Sequence, residues 1–408
     1  MKVWLLQIGE TLPLNRQTRF LRTAFLAEQL AGRGHTVTWW ASAFDHFLKQ
    51  WVCRADQDFA LRPNLTIKAL KGTGYKKNLS LSRILDHRLI ARKFRHLAPR
   101  QAKPDLIVAS YPSYDLAYEA VRYANRHHIP IFVDIRDQWP DFFLHHVPGA
   151  VRGLAKLCLS YEFFLARQTM AQADGLLSMM ESLLAWGLTY AGRDRTGKDQ
   201  VFYLGYHRPP PSASLSSRMA ELLPRLQGKF VVTFVGTFSD YHNPQILVEC
   251  AERLAHTDIV FVLAGDGPHA PAIKQRAASC PHVLLPGWLN AGEIAALLEH
   301  SHVGVCPTTM DLDFFPNKAF AYFSAGMPVI SAFQGDLKQL LTQHHLGFYY
   351  PPNQVEALSR LLLRLFEDRH LYGQIQQKVA ALYPTMFDAE AIYADYSNHL
   401  ERFVETAA

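Results

Sequence analysis

The residues best suited to chemistry lie in the second half of the chain, around Lys318. A strand predicted over 303–307 is followed by the run Asp311-Leu312-Asp313-Phe314-Phe315-Pro316-Asn317-Lys318, and a helix is expected to begin at Pro316 or Asn317. Such a helix start presents free backbone N–H groups and the positive end of the helix dipole. The pattern predicts an anion site to which Lys318 adds a charge; an ordinary surface lysine is the alternative interpretation.

Two further strand ends of the second half carry glycine-containing loops. The strand predicted over 230–235 ends in Gly236-Thr237-Phe238, and the strand over 258–264 ends in Gly265-Asp266-Gly267-Pro268. Ligands of open α/β sheets bind beyond the carboxyl ends of the strands. We therefore expect functional residues in these loops.

The first half offers weaker candidates at its own strand ends. Gly9-Glu10 follows the first predicted strand, with Arg16 and Arg19 ahead of the next helix, and the G-x-G-x-x-G dinucleotide fingerprint is absent. The strand over 131–135 runs into Arg136-Asp137-Gln138-Trp139-Pro140. Arg136 and Asp137 fit two interpretations equally well, a structural ion pair and a contact to a sugar or pyrophosphate.

Strand-like and helix-like segments alternate along the whole chain, which predicts parallel sheets covered by helices. A helix is predicted over 16–31. The strands of the first half are predicted at 2–8, 36–40, 65–70, 105–109, 131–135, 175–179 and 201–204. Those of the second half are predicted at 230–235, 258–264, 282–285, 303–307 and 328–331.

The alternation is interrupted by the proline-rich segment after Tyr206, which divides the chain into two doubly wound α/β domains. The predicted boundaries are 1–206 for the first domain, 207–228 for a linker and 229–385 for the second domain. A last helix, within 386–408, is expected after a break at Tyr383-Pro384 and could return to the first domain.

Composition excludes several classes of protein. The chain has 408 residues, a formal net charge of +6 and no apolar stretch near the ~20 residues of a membrane span. Its five scattered cysteines argue against a disulfide framework or a zinc site and favour a reducing cytosol. No nucleic-acid-binding signature is present.

Basic residues concentrate between Lys71 and Lys103, where Asp86 is the sole acid. Apolar residues interleave with them at near-helical spacing. A basic amphipathic helix near 80–98 would suit an anionic membrane surface, whereas an ordinary helix with a solvated basic face is slightly favoured by composition.

Several motifs together resemble the family 4 retaining glycosyltransferases of GT-B fold, in which two Rossmann-like domains face each other across a cleft. The motifs are Arg33-Gly34-His35-Thr36-Val37, Arg136–Pro140, Leu204–His207, Gly287-Trp288-Leu289 and above all Pro316–Ser331. The Arg136–Pro140 run is similar to that of members that build bacterial surface polysaccharides and add sugars such as N-acetylfucosamine. Their order and spacing match over almost the whole chain.

The resemblance implies a metal-independent transfer from a nucleoside-diphosphate sugar, UDP-sugar foremost, without a further cofactor. Lys318 and the start of its helix would hold the diphosphate, Asp313 would touch the transferred sugar, and Asp137 would face the acceptor. The implied substrate-binding residues are Gly9, Glu10, Arg136, Gly236, Thr237, His242, Gly265, Asp266, Gly267, Leu284, Leu285, Phe315, Pro316 and Asn317.

Three departures from the family pattern concern the donor contacts. The second glutamate of the family's E-x7-E motif falls on Ala321, and the usual arginine and lysine that flank the diphosphate fall on Thr237 and His242. Lys318 is then the one certain cation of the motif at neutral pH. A lipid-linked or membrane-borne saccharide is the expected acceptor, and the expected location is the cytoplasm, extending to the inner face of its membrane.

Two rival functions remain open. A sugar-nucleotide 2-epimerase would share the fold, although its His-Gly-Thr-type motif is absent. A degenerate transferase serving as a partner subunit would explain Ala321, Thr237 and His242.

Overall fold

A computed structural model describes residues 1–15, 20–145, 147–210, 215–311 and 313–405. The predicted positions Arg16, Arg19 and Leu312 lie outside these residues. The described chain divides into two compact units, Met1–Tyr203 with the segment from Tyr393 onward, and Leu204–Ile392. None of the described helices is long and apolar enough to cross a membrane.

The first unit is built on an eight-stranded sheet. The strands are β1 (Lys2–Leu6), β2 (Thr36–Ser42), β5 (Gln57–Arg62), β6 (Leu65–Leu70), β7 (Leu106–Tyr111), β8 (Ile131–Ile135), β9 (Gly175–Ser178) and β10 (Gln200–Val201), and a separate hairpin joins β3 (Phe44–Asp45) and β4 (Gln50–Trp51). The strand order in the sheet is β10-β9-β8-β7-β1-β2-β6-β5. Its strands are parallel except for β5, which pairs antiparallel with β6.

Helices accompany this sheet, and the longer ones bury apolar side chains. They are α1 (Arg22–Gly32), α2 (Leu81–Leu97), α3 (Tyr114–His127), α4 (Asp141–His145), α5 (Arg152–Cys158), α6 (Ser160–Ala171) and α7 (Glu181–Ala191), with 3-10 turns at Ala98–Arg100 and Gly149–Val151. The central strands β7 and β8 are buried on both faces, as expected for parallel strands between two helical layers.

The second unit contains a six-stranded parallel sheet. Its strands are β11 (Phe230–Val235), β12 (Ile259–Ala264), β13 (Val283–Gly287), β14 (Val303–Cys306), β15 (Val329–Ser331) and β16 (Gly347–Tyr349). They lie in the order β13-β12-β11-β14-β15-β16. Its helices are α8 (Ser217–Leu226), α9 (Gln245–Arg253), α10 (Ala270–Ala277), α11 (Ala291–Glu299), α12 (Asn317–Ser324), α13 (Asp336–Gln343), α14 (Val355–Glu367) and α15 (Arg369–Met386).

Two predicted boundaries are corrected by the structure. The segment 207–228, expected to be a linker, contains α8, whose Met219, Leu222 and Leu226 are buried in the core of the second unit. The break expected at Tyr383-Pro384 is wrong, because α15 continues through Pro384 to Met386. A proline so near the carboxyl end of a helix removes a single N–H, and the Tyr383 carbonyl still accepts from the amides of Phe387 and Asp388.

The last helix, α16 (Ala389–Glu405), contributes to the first unit from Tyr393 onward. The ring of Tyr393 stacks on Phe25 at 5.2 Å, and that of Tyr396 stacks on Phe202 at 4.5 Å. These contacts place the end of the chain within the core of the first unit.

Candidate functional site

The predicted glycine loops meet at the carboxyl ends of three neighbouring strands, β11, β12 and β13. The Gly236 amide donates to the Ala264 carbonyl at 2.9 Å, and the Gly265 amide donates to the Gly287 carbonyl at 2.8 Å. The Phe238 amide donates to the Asp266 carbonyl at 2.9 Å. Backbone hydrogen bonds therefore tie the loops into one rigid surface.

Close backbone approach explains the glycines of this surface. A Cβ atom at Gly265 would lie 1.9 Å from the Gly236 carbonyl oxygen, and one at Gly267 would lie 2.5 Å from the Phe238 carbonyl oxygen. Neither neighbour can move without breaking the loop contacts, so a side chain is excluded at both positions. A surface of bare backbone is suited to the close approach of a ligand.

Helix α12 begins beside this surface, as predicted. Pro316 occupies the N-cap with extended backbone, and no side-chain cap hydrogen bond is formed at this helix start in the described part of the chain. The first amides of α12 are therefore left without the side-chain acceptor that commonly occupies a helix start. Phe315 is buried and stacks on Phe320 at 4.3 Å, which fixes the chain where it enters the helix.

Lys318 projects its ammonium group under the Gly236 loop. Its Nζ lies 4.0 Å from the centroid of the Phe234 ring and would lie 3.1 Å from a Cβ at Gly236. This Nζ is buried and has no hydrogen-bond partner within the described part of the chain. Burial lowers the pKa of Lys318 to about 8. An unpaired buried cation is costly unless an anion joins it, so this geometry favours the anion-site interpretation over an ordinary surface lysine.

His242 lies beside Lys318 and is neutral at pH 7. Burial, followed by repulsion from Lys318, lowers the pKa of His242 to about 4. Its Nδ1 has no hydrogen-bond partner among the residues described. Thr237 is exposed on the same loop. With Thr237 and a neutral His242 at the positions of the family's usual arginine and lysine, Lys318 is left as the cation beside the Gly236 loop.

Asp313 is held at the amino end of α13. It forms an isolated bridge with Gln334, and its carboxylate contacts Gly335, where a Cβ would lie 1.7 Å from Oδ1. Gly335 also has a φ of +66°, which further favours glycine. The positive end of the α13 dipole favours this carboxylate. Ala321, which stands at the position of the family's second glutamate, is buried within α12.

The remaining predicted donor contacts are spread over the same strand ends. The exposed Asp266 accepts from the Gly267 amide at 2.8 Å. Leu284 is buried, Leu285 is half-buried on β13, and Asn317 is exposed at the start of α12. No cluster of three or more histidine, cysteine, aspartate or glutamate side chains able to hold a metal occurs in the described ranges.

In the first unit, Arg136 belongs to a buried ion-pair network, but its partners differ from the predicted one. Its guanidinium contacts Glu10 and donates to Asp134 at 3.0 Å and to the Thr23 hydroxyl at 2.9 Å. Glu10 also accepts from the Thr23 amide at 3.1 Å. The suggested pairing of Arg136 with Asp137 is therefore wrong, because Arg136 forms its ion pairs with Glu10 and Asp134 instead.

Arg22 and Asp134, which the sequence interpretation missed, form the centre of this network. Arg22 donates to Asp134 at 2.8 Å and to the Phe202 carbonyl at 2.6 Å. The two arginines hold the pKa of Asp134 below its usual value although burial opposes this. The sequence did contain a signal for this ion pair. Asp134 stands inside the otherwise apolar strand Ile131–Ile135, and a buried carboxylate requires a cationic partner.

Gly9 and Asp137 lie at the same sheet edge. The Gly9 amide donates to the Gln7 side chain at 2.7 Å. Asp137 accepts from the Gln138 amide at 2.8 Å, and burial raises the pKa of Asp137. Asp137 is thus free of the Arg136 network.

Comparison with known proteins connects this geometry to glycosyl transfer. Residues 229–368 match the family described as Glycosyl transferases group 1, a range that includes the glycine loops, His242, Asp313 and Lys318. No curated protein matches the chain in sequence.

Solved structures resemble almost the whole chain. Sucrose-phosphate synthase from Thermosynechococcus elongatus is 16% identical with a TM-score of 0.69, covering 100% of both chains. HepE from Anabaena, in complex with UDP, is 15% identical with a TM-score of 0.67, covering 98% of this chain and 99% of that chain. WaaG, a glycosyltransferase involved in lipopolysaccharide biosynthesis, is 12% identical with a TM-score of 0.62, covering 98% of this chain and 99% of that chain. These likenesses confirm the predicted fold class: the chain has the α/β fold of GT-B glycosyltransferases, with two Rossmann-like domains.

Proposed function

We propose that the protein is a retaining glycosyltransferase that moves a sugar from a nucleoside-diphosphate sugar to a saccharide acceptor in surface glycan biosynthesis. The observation that carries the proposal is the buried ammonium of Lys318 beneath the glycine loops, for which the described residues provide no hydrogen-bond partner. A diphosphate supplies the negative charge that this arrangement lacks. UDP is the favoured nucleotide, because similar structures contain UDP or UDP-glucose.

The chemistry follows from where charge develops during transfer. As the glycosidic bond to the diphosphate breaks, negative charge grows on the leaving oxygen. Lys318 and the amides at the start of α12 stabilise that charge, which is the role a metal fills in other transferases. The leaving diphosphate accepts the proton of the incoming hydroxyl on the same face of the sugar. This route retains the anomeric configuration and needs no nucleophile from the protein.

Asp313 is assigned to the transferred sugar and Asp137 to the acceptor side. The Asp313 carboxylate is exposed and anchored beside Gly335, so it can accept hydrogen bonds from sugar hydroxyls. Asp137 lies at the carboxyl edge of the first sheet, where ligands of such sheets bind. Gly9 lies at this edge as well, whereas Glu10 and Arg136 act there by shaping the edge through their ion pair.

The test of donor chemistry is a thermal-shift screen with UDP-, GDP- and dTDP-sugars, followed by NMR of the anomeric proton in the product. A ligand that binds only the folded state raises its apparent stability. We expect UDP-sugars to raise Tm and an α-linked donor to give an α-linked product. Formation of an epimerised UDP-sugar without acceptor would support the 2-epimerase instead, and failure to bind every nucleotide sugar would support a non-catalytic subunit.

We further propose a cytoplasmic location with peripheral attachment to anionic membrane, although not through the segment predicted from the sequence. The apolar face of α2 is buried at Ile90 and Phe94. Three of its basic residues are paired with carboxylates: Arg88 with Glu162, Lys93 with Asp56 and Arg95 with Glu119. These contacts favour the ordinary-helix interpretation of α2.

A better membrane surface runs along α5 and α6. Helix α5 buries no residue. Exposed apolar side chains follow at helical spacing, at Val151, Leu154, Leu157, Tyr161 and Phe164. The charged residues between 147 and 161 are Arg152 and Lys156, both cationic. Glu162, between Tyr161 and Phe164, is buried and paired with Arg88, so the exposed charges along the stripe are cationic. An apolar stripe with such charges suits an anionic lipid surface.

Sedimentation with phosphatidylglycerol vesicles tests this surface. We expect the protein to sediment at low salt and to be released at high salt, since such attraction is screened over about 8 Å at physiological ionic strength. The double variant Leu154→Gln/Leu157→Gln should remain in the supernatant. The matched control, Leu81→Gln/Leu85→Gln on α2, should sediment normally. Wild-type protein that ignores the vesicles at low salt would refute the attachment and favour a soluble acceptor.

A further inference from the structure

Arg83, at the start of α2, lacks the close carboxylate partner that other buried or half-buried arginines of the first unit have. Arg22, Arg136 and Arg193 each bind a carboxylate closely. Arg83 has no carboxylate within 4.0 Å among the residues described, and its buried Nε has no hydrogen-bond partner there. One terminal nitrogen donates to the Asn78 carbonyl at 3.0 Å. The half-buried guanidinium also donates to the Tyr75 hydroxyl and is attracted by Asp137. It still has an unused donor at Nε and no carboxylate in direct contact among the described residues.

Aromatic rings hold this guanidinium in place. Its Cζ lies 4.6 Å from the Trp139 ring centroid and 5.6 Å from that of Tyr75. Both rings are themselves almost fully buried. Cation–π contacts of this kind fix the position of a guanidinium without neutralising its charge.

The cluster lies at the carboxyl edge of the first sheet. His46 lies in the segment that follows β2, Tyr75 and Arg83 follow β6, and Asp137 and Trp139 follow β8. The His46 ring nitrogen lies 2.7 Å from the Tyr75 hydroxyl, and burial lowers the pKa of His46 to about 4, so the imidazole is neutral. Four kinds of group thus converge at one edge: a cation, two aromatic rings, a neutral imidazole and a carboxylate.

We propose that Arg83, between Tyr75 and Trp139, binds an anionic group, a carboxylate or a phosphate, carried by the acceptor saccharide. The acceptor role rests on the proposed glycosyl transfer, whereas the binding of an anionic sugar does not. The planar guanidinium matches carboxylate and phosphate oxygens through paired N–H donors. Asp137 is left to accept hydrogen bonds from the hydroxyls of the same sugar.

The test titrates the full chain with three glycosides that differ at one position: methyl glucoside, methyl glucuronide and methyl glucoside 6-phosphate. Binding is followed by saturation-transfer NMR. We expect at least one anionic glycoside to bind about tenfold or more tightly than the neutral one, and the stronger of the two identifies the charged group. Arg83→Gln should abolish this preference. Arg92→Gln, an exposed arginine of the same helix, should keep it.

Equal binding of the three glycosides to wild-type protein, binding of neither anionic glycoside, or an unchanged preference in Arg83→Gln would overturn the inference. If Arg83→Gln does not fold, competition of inorganic phosphate with the anionic glycosides on wild-type protein decides instead, and absence of competition counts against the site. UDP binding is measured in parallel on every variant. Absence of UDP binding to wild-type protein would refute the proposed function, whereas the inferred anion site would still be judged by the glycoside titrations alone.

Discussion

At the scale of single residues, Lys318 carries opposing consequences for stability and for binding. Its pKa falls from 10.5 to about 8 on folding, so between these pH values the unfolded chain holds a proton that the folded chain lacks. Stability from this group therefore rises as pH increases from 8 towards 10.5, and the penalty is complete below pH 8. The neighbouring His242 and Cys306, with pKa values of about 4 and about 12, keep their charge states in that interval.

We accordingly predict that Lys318→Met stabilises the unliganded protein at pH 7 by about 1–3 kcal/mol. The gain should shrink at pH 9.5, where the wild-type ammonium is largely deprotonated. Urea unfolding at both pH values measures this difference. Lys338→Met is the matched control, because its ammonium lies 4.1 Å from the Tyr349 ring but donates to Gln334, and it should give no gain. A Lys318→Met variant less stable than wild type at pH 7 would contradict the assignment.

At the scale of elements, the loops that follow β11 and β12 are expected to depend on Gly265. Gly265→Ala forces a Cβ into the Gly236 carbonyl, which we predict costs about 2–4 kcal/mol and abolishes UDP binding. Gly326→Ala is the control: Gly326 has a φ of +70°, but a Cβ at this position would have no atom of the described residues within 4 Å. That variant should lose about 1–2 kcal/mol and keep its affinity for UDP. Urea unfolding and UDP titration distinguish the two, and equal effects would argue against backbone contact as the reason for Gly265.

The sequence was most informative about elements in which apolar and β-branched residues predominate. The strands at 131–135 and 230–235 have the predicted bounds, because strands buried on both faces are rich in such residues. The strand at 65–70 also has the predicted bounds, with buried residues alternating with Thr66 and Lys68. The hairpin of β3 and β4 and the edge strand β5 were missed, since they are short or half-exposed and their polar residues resemble loops. The candidate site shows a similar limit. Lys318 and Gly236 were predicted as site residues, and the structure places them side by side. The buried ion pair of Arg22 and Asp134 was not predicted, because it depends on tertiary contacts that local sequence does not encode.

At the scale of the whole molecule, the end of the chain supports the first unit although the preceding helices belong to the second. Tyr396 is fully buried, stacks on Phe202 and lies 5.2 Å from the Arg22 guanidinium. We predict that Tyr396→Ala destabilises the first unit by about 3–5 kcal/mol without changing UDP affinity. Tryptophan fluorescence during urea unfolding reports chiefly on that unit, which contains all tryptophans except Trp288. Tyr161→Ala, at an exposed site, should leave the transition unchanged, and a Tyr396→Ala midpoint equal to that of wild type would contradict the prediction.

The central claim is that the second unit binds the diphosphate of a nucleotide sugar through Lys318. Calorimetric titration of UDP into wild-type protein, Lys318→Ala and the surface control Lys274→Ala at pH 7 tests it most directly. We predict saturable binding to wild-type protein and to Lys274→Ala, and binding to Lys318→Ala that is weaker by about 30-fold or more, because removing one partner of a buried charge pair costs about 2 kcal/mol or more. Absence of UDP binding in wild-type protein, or an unchanged Kd in Lys318→Ala, would contradict the account.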